Sequence, residues 1–111
     1  MTMKVIHLDG VTVVVPGVPR LDASRAEDLR STLQSAMTAS CGSLLLDLQS
    51  VELVDSTILG VVVGIFRNLP KGGRLALCAV GENVGSLLHL TNLDKIFSLY
   101  STREEAISAM R

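Results

Sequence analysis

Short apolar runs separated by turn residues dominate the start of the chain. Residues 4–8 and 11–15 are rich in β-branched side chains, and Asp9-Gly10 lies between them. Asp-Gly between two apolar runs is typical of a type I′ turn, in which both central residues need positive φ. The pattern therefore predicts a β-hairpin. Residues 16–19 (Pro-Gly-Val-Pro) predict a loop, because proline can continue neither a helix nor a central strand.

A helical repeat begins after this loop. Ser24 is followed three residues later by Glu27, which is the spacing of a capping box. We expect an amphipathic helix over residues 24–38 that ends at Cys41-Gly42, followed by a buried strand over residues 43–48. The apolar positions of the helix recur at helical spacing: Ala26, Leu29, Leu33 and Ala36.

Residues 58–66 fit two kinds of secondary structure. The three valines at positions 61–63 favour a strand. However, Asp, Ser and Thr at positions 55–57 are the residue types that cap helix N-termini. Gly60 and Gly64 are four residues apart and would share one helix face, where we expect them to allow close packing onto the sheet. We interpret the segment as a helix.

Strands and helices alternate in the rest of the chain. The pattern predicts a turn at residues 70–73, a strand over 74–80, a short helix carrying Val84, Leu87 and Leu88, and a strand over 96–100. A second capping box, Thr102 with Glu105, predicts a terminal helix whose Ala106, Ile107 and Met110 point inward. The order β-β-α-β-α-β-α-β-α predicts a single α/β domain over residues 1–111. We expect about four helices on a mixed, mostly parallel sheet of four to five strands.

Composition and charge exclude several function classes. The chain has 111 residues, of which 48% are hydrophobic, and a formal net charge of −1. Nucleic-acid binding normally needs a concentrated basic face, so we expect no nucleic-acid partner. The apolar run at residues 58–66 is far shorter than the ~20 residues that span a bilayer. The first ten residues contain no signal-peptide apolar region. We therefore expect a cytoplasmic protein that does not contact a membrane.

No catalytic, metal or cofactor site stands out. The chain contains no phosphate-binding glycine loop, and no Gly-x-Ser-x-Gly frame surrounds Ser56. His7 and His89 have no carboxylate or cysteine at ligand spacing, so we expect neither a metal nor a cofactor. Cys41 and Cys78 form no Cys-x-x-Cys pair, and we expect both to be reduced. These observations predict that the protein is not an enzyme.

Ser56 is the residue whose position suggests a functional role. A hydroxyl at a helix N-terminus lies beside unpaired N–H groups and the positive end of the helix dipole. Such a position accommodates a phosphate. On the residues alone, however, Asp-Ser-Thr before an apolar helix is more simply a cap.

A resemblance to a known family favours phosphorylation of Ser56 over a simple capping role. Asp55-Ser56-Thr57 followed by Leu59-Gly60 resembles the phosphorylation motif of the STAS-domain anti-sigma factor antagonists. Four further segments occur in the order that the family has them: residues 21–22, 72–74, 93–97 and 104–106. The resemblance implies that Ser56 is phosphorylated and that Asp22 and Asp55 flank it. Thr57 is the less favoured acceptor. Ile58 replaces the usual glycine, and the loop at residues 16–20 is about two residues longer than is usual in the family.

The resemblance also implies a partner switch. The unphosphorylated protein would bind an anti-sigma factor that is also a serine kinase, and phosphorylation of Ser56 would release it. A serine phosphatase would then reset the switch. We expect Asp22, Asp55, Thr57 and Ile58 to contact the partner, with the β-branched Ile58 beside the acceptor, and the protein to be a monomer.

Two alternatives remain open at this point. One is a STAS adaptor subunit that docks on the ATPase of a lipid ABC transporter. The other is a small α/β enzyme or nucleotide-binding protein. The full Asp-Ser-Thr motif and an expected long C-terminal helix favour the switch over the adaptor.

Overall fold

Five strands form the main sheet of the computed structural model, which describes residues 3–39 and 43–111. The first pair of strands is antiparallel and the other neighbours are parallel. The predicted mixed, mostly parallel sheet is therefore confirmed. In spatial order the strands are β1 (Met3–Leu8), β2 (Val11–Pro16), β4 (Ser43–Asp47), β6 (Arg74–Cys78) and β7 (Ser98–Tyr100).

The predicted hairpin joins β1 to β2. Asp9 has φ 51° and Gly10 has φ 80°, so both central residues of the turn adopt the positive φ that the Asp-Gly pair indicated. Pro16 was expected in a loop but is the last residue of β2, where it pairs with Met3 of β1. This is compatible with proline because the pairing of β2 with β4 covers only Thr12 to Val14.

A second, two-stranded sheet was not predicted. β3 (Arg20–Leu21) and β5 (Leu53–Val54) pair in parallel, with Arg20 opposite Leu53 and Leu21 opposite Val54. The carbonyl of Pro19 accepts hydrogen bonds from the N–H groups of Glu52 and Leu53, at 2.6 and 3.1 Å. The residue that follows each short strand, Asp22 or Asp55, therefore lies at the same edge of this sheet.

Helices cover both faces of the main sheet. Buried residues of the first three helices form one core with Val14, Leu44 and Leu46, whereas the fourth helix forms a second core with Val13 and Leu45. Because both faces are covered, the three central strands β2, β4 and β6 are buried almost throughout instead of alternating. The four helices, in the predicted order, are α1 (Ala26–Ala39), α2 (Ser56–Arg67), α3 (Glu82–Leu90) and α4 (Arg103–Met110).

The predicted capping box at the start of α1 is wrong. A 3₁₀ turn, Ala23–Arg25, precedes α1, and its N-cap is Asp22. Ser24 is the middle residue of this turn, and its N–H and hydroxyl both donate to the Asp22 carboxylate, so Asp22 and not Ser24 occupies the cap position. Glu27 pairs with Arg30 instead. The expected helix end at Cys41-Gly42 lies outside the described residues.

The helical interpretation of α2 is confirmed, but the face expected against the sheet is wrong. Ile58, Val62 and Ile65 are the buried positions of α2. Nothing lies within 4 Å of a Cβ added at Gly60 or Gly64, so the two glycines do not pack closely onto the sheet. Because α2 is apolar almost all round, its sequence does not show which side is buried.

Two predicted strand boundaries in the second half of the chain shift, and the last helix is shorter than expected. β6 ends at Cys78 because Ala79 adopts φ 55°, which breaks the extended backbone. β7 begins at Ser98 because Leu93–Lys95 form a 3₁₀ turn. The terminal helix α4 is capped by Thr102 and buries the predicted residues. It has only eight residues, so the expectation of a long C-terminal helix is wrong.

Candidate functional site

Ser56 is the first residue of α2, and its side chain is exposed. Asp55 is the N-cap, and its Oδ1 accepts a hydrogen bond from the Ile58 N–H at 3.0 Å. The first N–H groups of a helix have no intrahelical acceptor, and the helix dipole is positive there. Thr57, the next residue, is also exposed. The structure thus places an accessible hydroxyl at the positive end of α2.

Asp22 is ionised at neutral pH beside this helix end. Its Oδ1 accepts hydrogen bonds from the Ser24 hydroxyl at 2.5 Å and the Ser24 N–H at 3.0 Å. The hydroxyl, followed by the N–H, lowers the pKa of the Asp22 carboxyl, and the charges of Arg20 and Arg25 lower it further. Asp22 therefore keeps its negative charge to lower pH than an ordinary aspartate does.

The second oxygen of Asp55 connects the two acidic residues. Asp55 Oδ2 accepts a hydrogen bond from the Ala23 N–H, the group that follows Asp22, at 2.9 Å. Together with the pairing of β3 with β5, this bond brings Asp22, Asp55 and Ser56 to one edge of the molecule. The sequence motifs placed these residues near one another but gave no sign of the bond itself.

Ile58 is buried in the folded chain, contrary to the expectation that it lies at the partner-binding surface. It is only 2% exposed and belongs to the core formed with Leu21 and Val62. The third residue of α2 points toward the sheet, whereas Ser56 and Thr57 point outward. The β-branched side chain of Ile58 therefore contributes to the packing of the core and not to the surface beside Ser56.

A groove of about 430 Å³ runs between α1 and α2, beginning beside Ser56 at Thr57. Gly60 and Gly64 line one wall and Arg30 the other. Arg30 is ion-paired with Glu27 in the same helix. Sequence reasoning missed this groove, although the two glycines in α2 were its signal. They leave the helix backbone uncovered at positions where a side chain would fit.

Residues 2–106 match the profile described as the STAS domain. The chain belongs to the STAS-domain family. With its five-stranded mixed sheet and four helices, it has the STAS fold that the resemblance implied.

Relatives of this STAS domain carry the name anti-sigma factor antagonist. The chain is 28% identical to the anti-sigma F factor antagonist of Paenibacillus polymyxa over 99% of its own length and 95% of that protein. It is 42% identical over 69 residues to a candidate anti-sigma factor antagonist of Thermotoga maritima, where the match covers 61% of each protein.

Solved structures share the fold over nearly the whole chain. A structure of a candidate anti-sigma factor antagonist from Thermotoga maritima has a TM-score of 0.90 and 31% identity, covering 98% of this chain and 94% of that one. The Bacillus protein SpoIIAA in its phosphorylated form has a TM-score of 0.76 and 20% identity, covering 98% and 99%. At that identity, the SpoIIAA structure supports the fold alone.

Each of the two histidines of the STAS domain lies beside a polar side chain. His7 Nδ1 lies 3.1 Å from the Thr12 hydroxyl. His89 Nδ1 lies 2.9 Å from Asp94 Oδ2, five residues further along the chain. Cys78 is a free, buried thiol. Cys41 lies outside the described residues.

The described segments contain no group of three or more His, Cys, Asp or Glu side chains that could hold a metal ion. Within residues 3–39 and 43–111, no helix is long and apolar enough to cross a membrane.

Proposed function

We propose that this STAS domain is a partner-switching regulator controlled by phosphorylation of Ser56. Without the phosphate, it binds an anti-sigma factor that is also a serine kinase; the kinase phosphorylates Ser56, and the complex separates. A serine phosphatase restores the binding form. In this proposal the protein is a cytoplasmic monomer and has no catalytic activity of its own.

The observation that carries the proposal is the position of Ser56. Its hydroxyl is exposed on the first residue of α2, at the positive end of the helix. A phosphoryl group there can accept hydrogen bonds from the free N–H groups of Ser56 and Thr57. The Asp55 oxygens are already bonded to Ile58 and Ala23, so they leave these N–H groups available.

The names of the relatives support the same role. The Paenibacillus relative is an anti-sigma F factor antagonist and aligns over nearly its full length. Binding of an anti-sigma factor by the present chain is thus the simplest extension, and the exposed surface around Asp22, Ser56 and Thr57 is where we place it.

The transporter-adaptor alternative shares this fold. An expected long C-terminal helix had favoured the switch, but α4 has only eight residues. The Asp-Ser-Thr motif is therefore the remaining feature that favours the switch over the adaptor. Phosphorylation separates the two functions, because an adaptor needs no modified serine.

The test is affinity capture from the native cell, followed by phosphorylation. Unmodified protein and protein carrying phosphoserine at position 56 are used as baits. We expect the unmodified bait alone to retain a protein kinase. With ATP, that kinase should add one phosphoryl group to the wild type and to Thr57→Ala, but none to Ser56→Ala. Phosphorylation of Ser56→Ala, or retention of a transporter ATPase by both baits, would refute the proposal.

A further inference from the structure

The two carboxylate oxygens of Asp55 bond to two different parts of the backbone. Oδ1 accepts from the Ile58 N–H at 3.0 Å and caps α2. Oδ2 accepts from the Ala23 N–H at 2.9 Å, 32 residues earlier in the chain. We call these two hydrogen bonds the Asp55 bridge. They connect the beginning of α2 to the turn that carries Asp22.

The Asp55 bridge continues a pairing that is otherwise very short. β3 and β5 pair through only two residues each, ending with Leu21 opposite Val54. After that pair the two strands diverge, because β3 leads into the 3₁₀ turn and β5 leads into α2. The bond from Ala23 to Asp55 is the next connection along this edge, and it acts at the point where Asp22 and Ser56 must be held side by side.

Both donors are N–H groups that a helix leaves without a partner. Ala23 is the first residue of its 3₁₀ turn and Ile58 is the third residue of α2. A carboxylate satisfies both because it has two acceptor oxygens. Serine has one hydroxyl oxygen and would cap only α2. Asparagine has one acceptor oxygen, and its NH₂ group cannot accept from Ala23.

We propose that Asp55 is a positioning residue: the Asp55 bridge holds the Asp22 turn in register with Ser56, so that a kinase recognises both as one surface. This inference rests on the proposed function and deepens it. It also changes the role expected for Asp55 from the family resemblance. Since both oxygens are bonded to the backbone, Asp55 acts through Asp22 rather than by contacting the partner.

The first experiment needs no partner. Asp55→Ser keeps a capping side chain on α2 but removes the acceptor for Ala23. Thr102→Ala is the matched control, because it removes the N-cap of α4 on the opposite face of the sheet. By amide hydrogen exchange, we expect the Ala23 amide to exchange at least about tenfold faster in Asp55→Ser and to be unchanged in Thr102→Ala. Unchanged exchange at Ala23 in Asp55→Ser would overturn the inference.

The second experiment measures phosphorylation by the kinase captured with the unmodified protein. We expect Asp55→Ser to raise KM at least about fivefold while kcat stays within about twofold, as expected when a recognition surface is displaced and the reacting hydroxyl is kept. Asp22→Asn should have a similar effect. The double variant should be no worse than Asp22→Asn alone, because the first residue acts through the second.

The outcomes separate this inference from the proposed function. Failure of the kinase to phosphorylate the wild type would overturn the proposed function, and the role of the Asp55 bridge in recognition with it. Normal phosphorylation of the wild type with an unchanged KM in Asp55→Ser would overturn this inference alone. Fully additive effects in the double variant would do the same, since they would show that Asp55 contributes independently of Asp22.

Discussion

Arg103 Nε donates a hydrogen bond to Asp47 Oδ2 at 2.9 Å, joining the start of α4 to the end of β4. Only 1% of Asp47 is exposed, and its other oxygen accepts from the Gln49 N–H at 3.0 Å. A buried carboxylate is tolerated only where such partners compensate for its lost hydration. This ion pair therefore fixes α4 on the face of the sheet opposite α2.

Arg103→Met should destabilise the protein by about 3 kcal/mol, because it leaves the buried Asp47 without its cation. Urea unfolding followed by circular dichroism measures the loss. Arg111→Met is the control, since Arg111 and Asp9 form an exposed pair at 3.5 Å, and it should cost less than about 0.5 kcal/mol. Equal effects of the two substitutions would show that burial does not govern the Asp47 pair.

Gly60→Ala should stabilise the protein by about 0.5–1 kcal/mol. Alanine is a better helix former than glycine, and an added methyl group meets no atom within 4 Å. Gly10→Ala is the matched control, because Gly10 has similar free space but φ +80°, where alanine is strained. Chemical denaturation should show opposite signs for the two variants. Destabilisation by Gly60→Ala would indicate that the α1–α2 groove closes in solution.

The capping role of Asp22 and its proposed role in kinase recognition can be separated by a pair of substitutions. Asp22→Ala removes the cap of the 3₁₀ turn and should lower the melting temperature, whereas Asp22→Asn keeps an acceptor and should lower it less. Both variants lose the charge, so both should be phosphorylated more slowly. Thermal unfolding and kinase assays on the same preparations test this. Normal phosphorylation of Asp22→Asn would leave Asp22 with only its capping role.

The pKa of the Cys78 thiol predicts a loss of stability in alkali. Burial, followed by the negative charge of Asp47, raises this pKa from about 9 to about 12. The folded protein therefore keeps the thiol neutral, and the resulting stability is complete below pH 9 and is lost as the pH rises from 9 toward 12. The stability advantage of wild type over Cys78→Ala should shrink by about 1 kcal/mol between about pH 8 and pH 10. A constant difference would contradict the raised pKa.

The sequence predicted those elements whose signals are local. The Asp9-Gly10 turn and the cap of α2 each depend on adjacent residues, and both are present. The bond between Ala23 and Asp55 joins residues 32 apart and leaves no periodic signature, so neither it nor the β3–β5 pair could be predicted. The predicted Ser24 cap was wrong because the helical segment already begins at Ala23, so that Asp22 occupies the cap position and accepts from the Ser24 N–H.

The candidate site, too, could be predicted only where its signals lie in adjacent residues. The motif identified Ser56 and the acids beside it, because a family resemblance is read from short stretches of residues. It did not show which side chains face outward. Ile58 is in the core and Gly60 is at the surface, since the orientation of an apolar helix depends on the sheet against which it packs.

Phosphorylation of Ser56 should switch binding through surface charge without refolding the domain. The phosphate adds about −1.5 to −2 charges at neutral pH. The free N–H groups at the start of α2 attract it, and the Asp55 bridge can remain intact because its oxygens use other donors. A partner that covers this surface would have to bury the unpaired charge, which costs several kcal/mol. A cost of ~4 kcal/mol corresponds to roughly thousandfold weaker binding.

Backbone NMR spectra of the two forms test this mechanism. We expect shift changes around residues 55–60 and near Asp22, together with the loss of partner affinity in titration calorimetry. Helix α4 lies against the opposite face of the sheet, so its signals should be unchanged and serve as an internal control. Ser56→Asp carries a smaller charge and should weaken binding less than phosphoserine does. Shift changes that extend through Arg103–Met110 would show instead that the phosphate acts by a change in conformation.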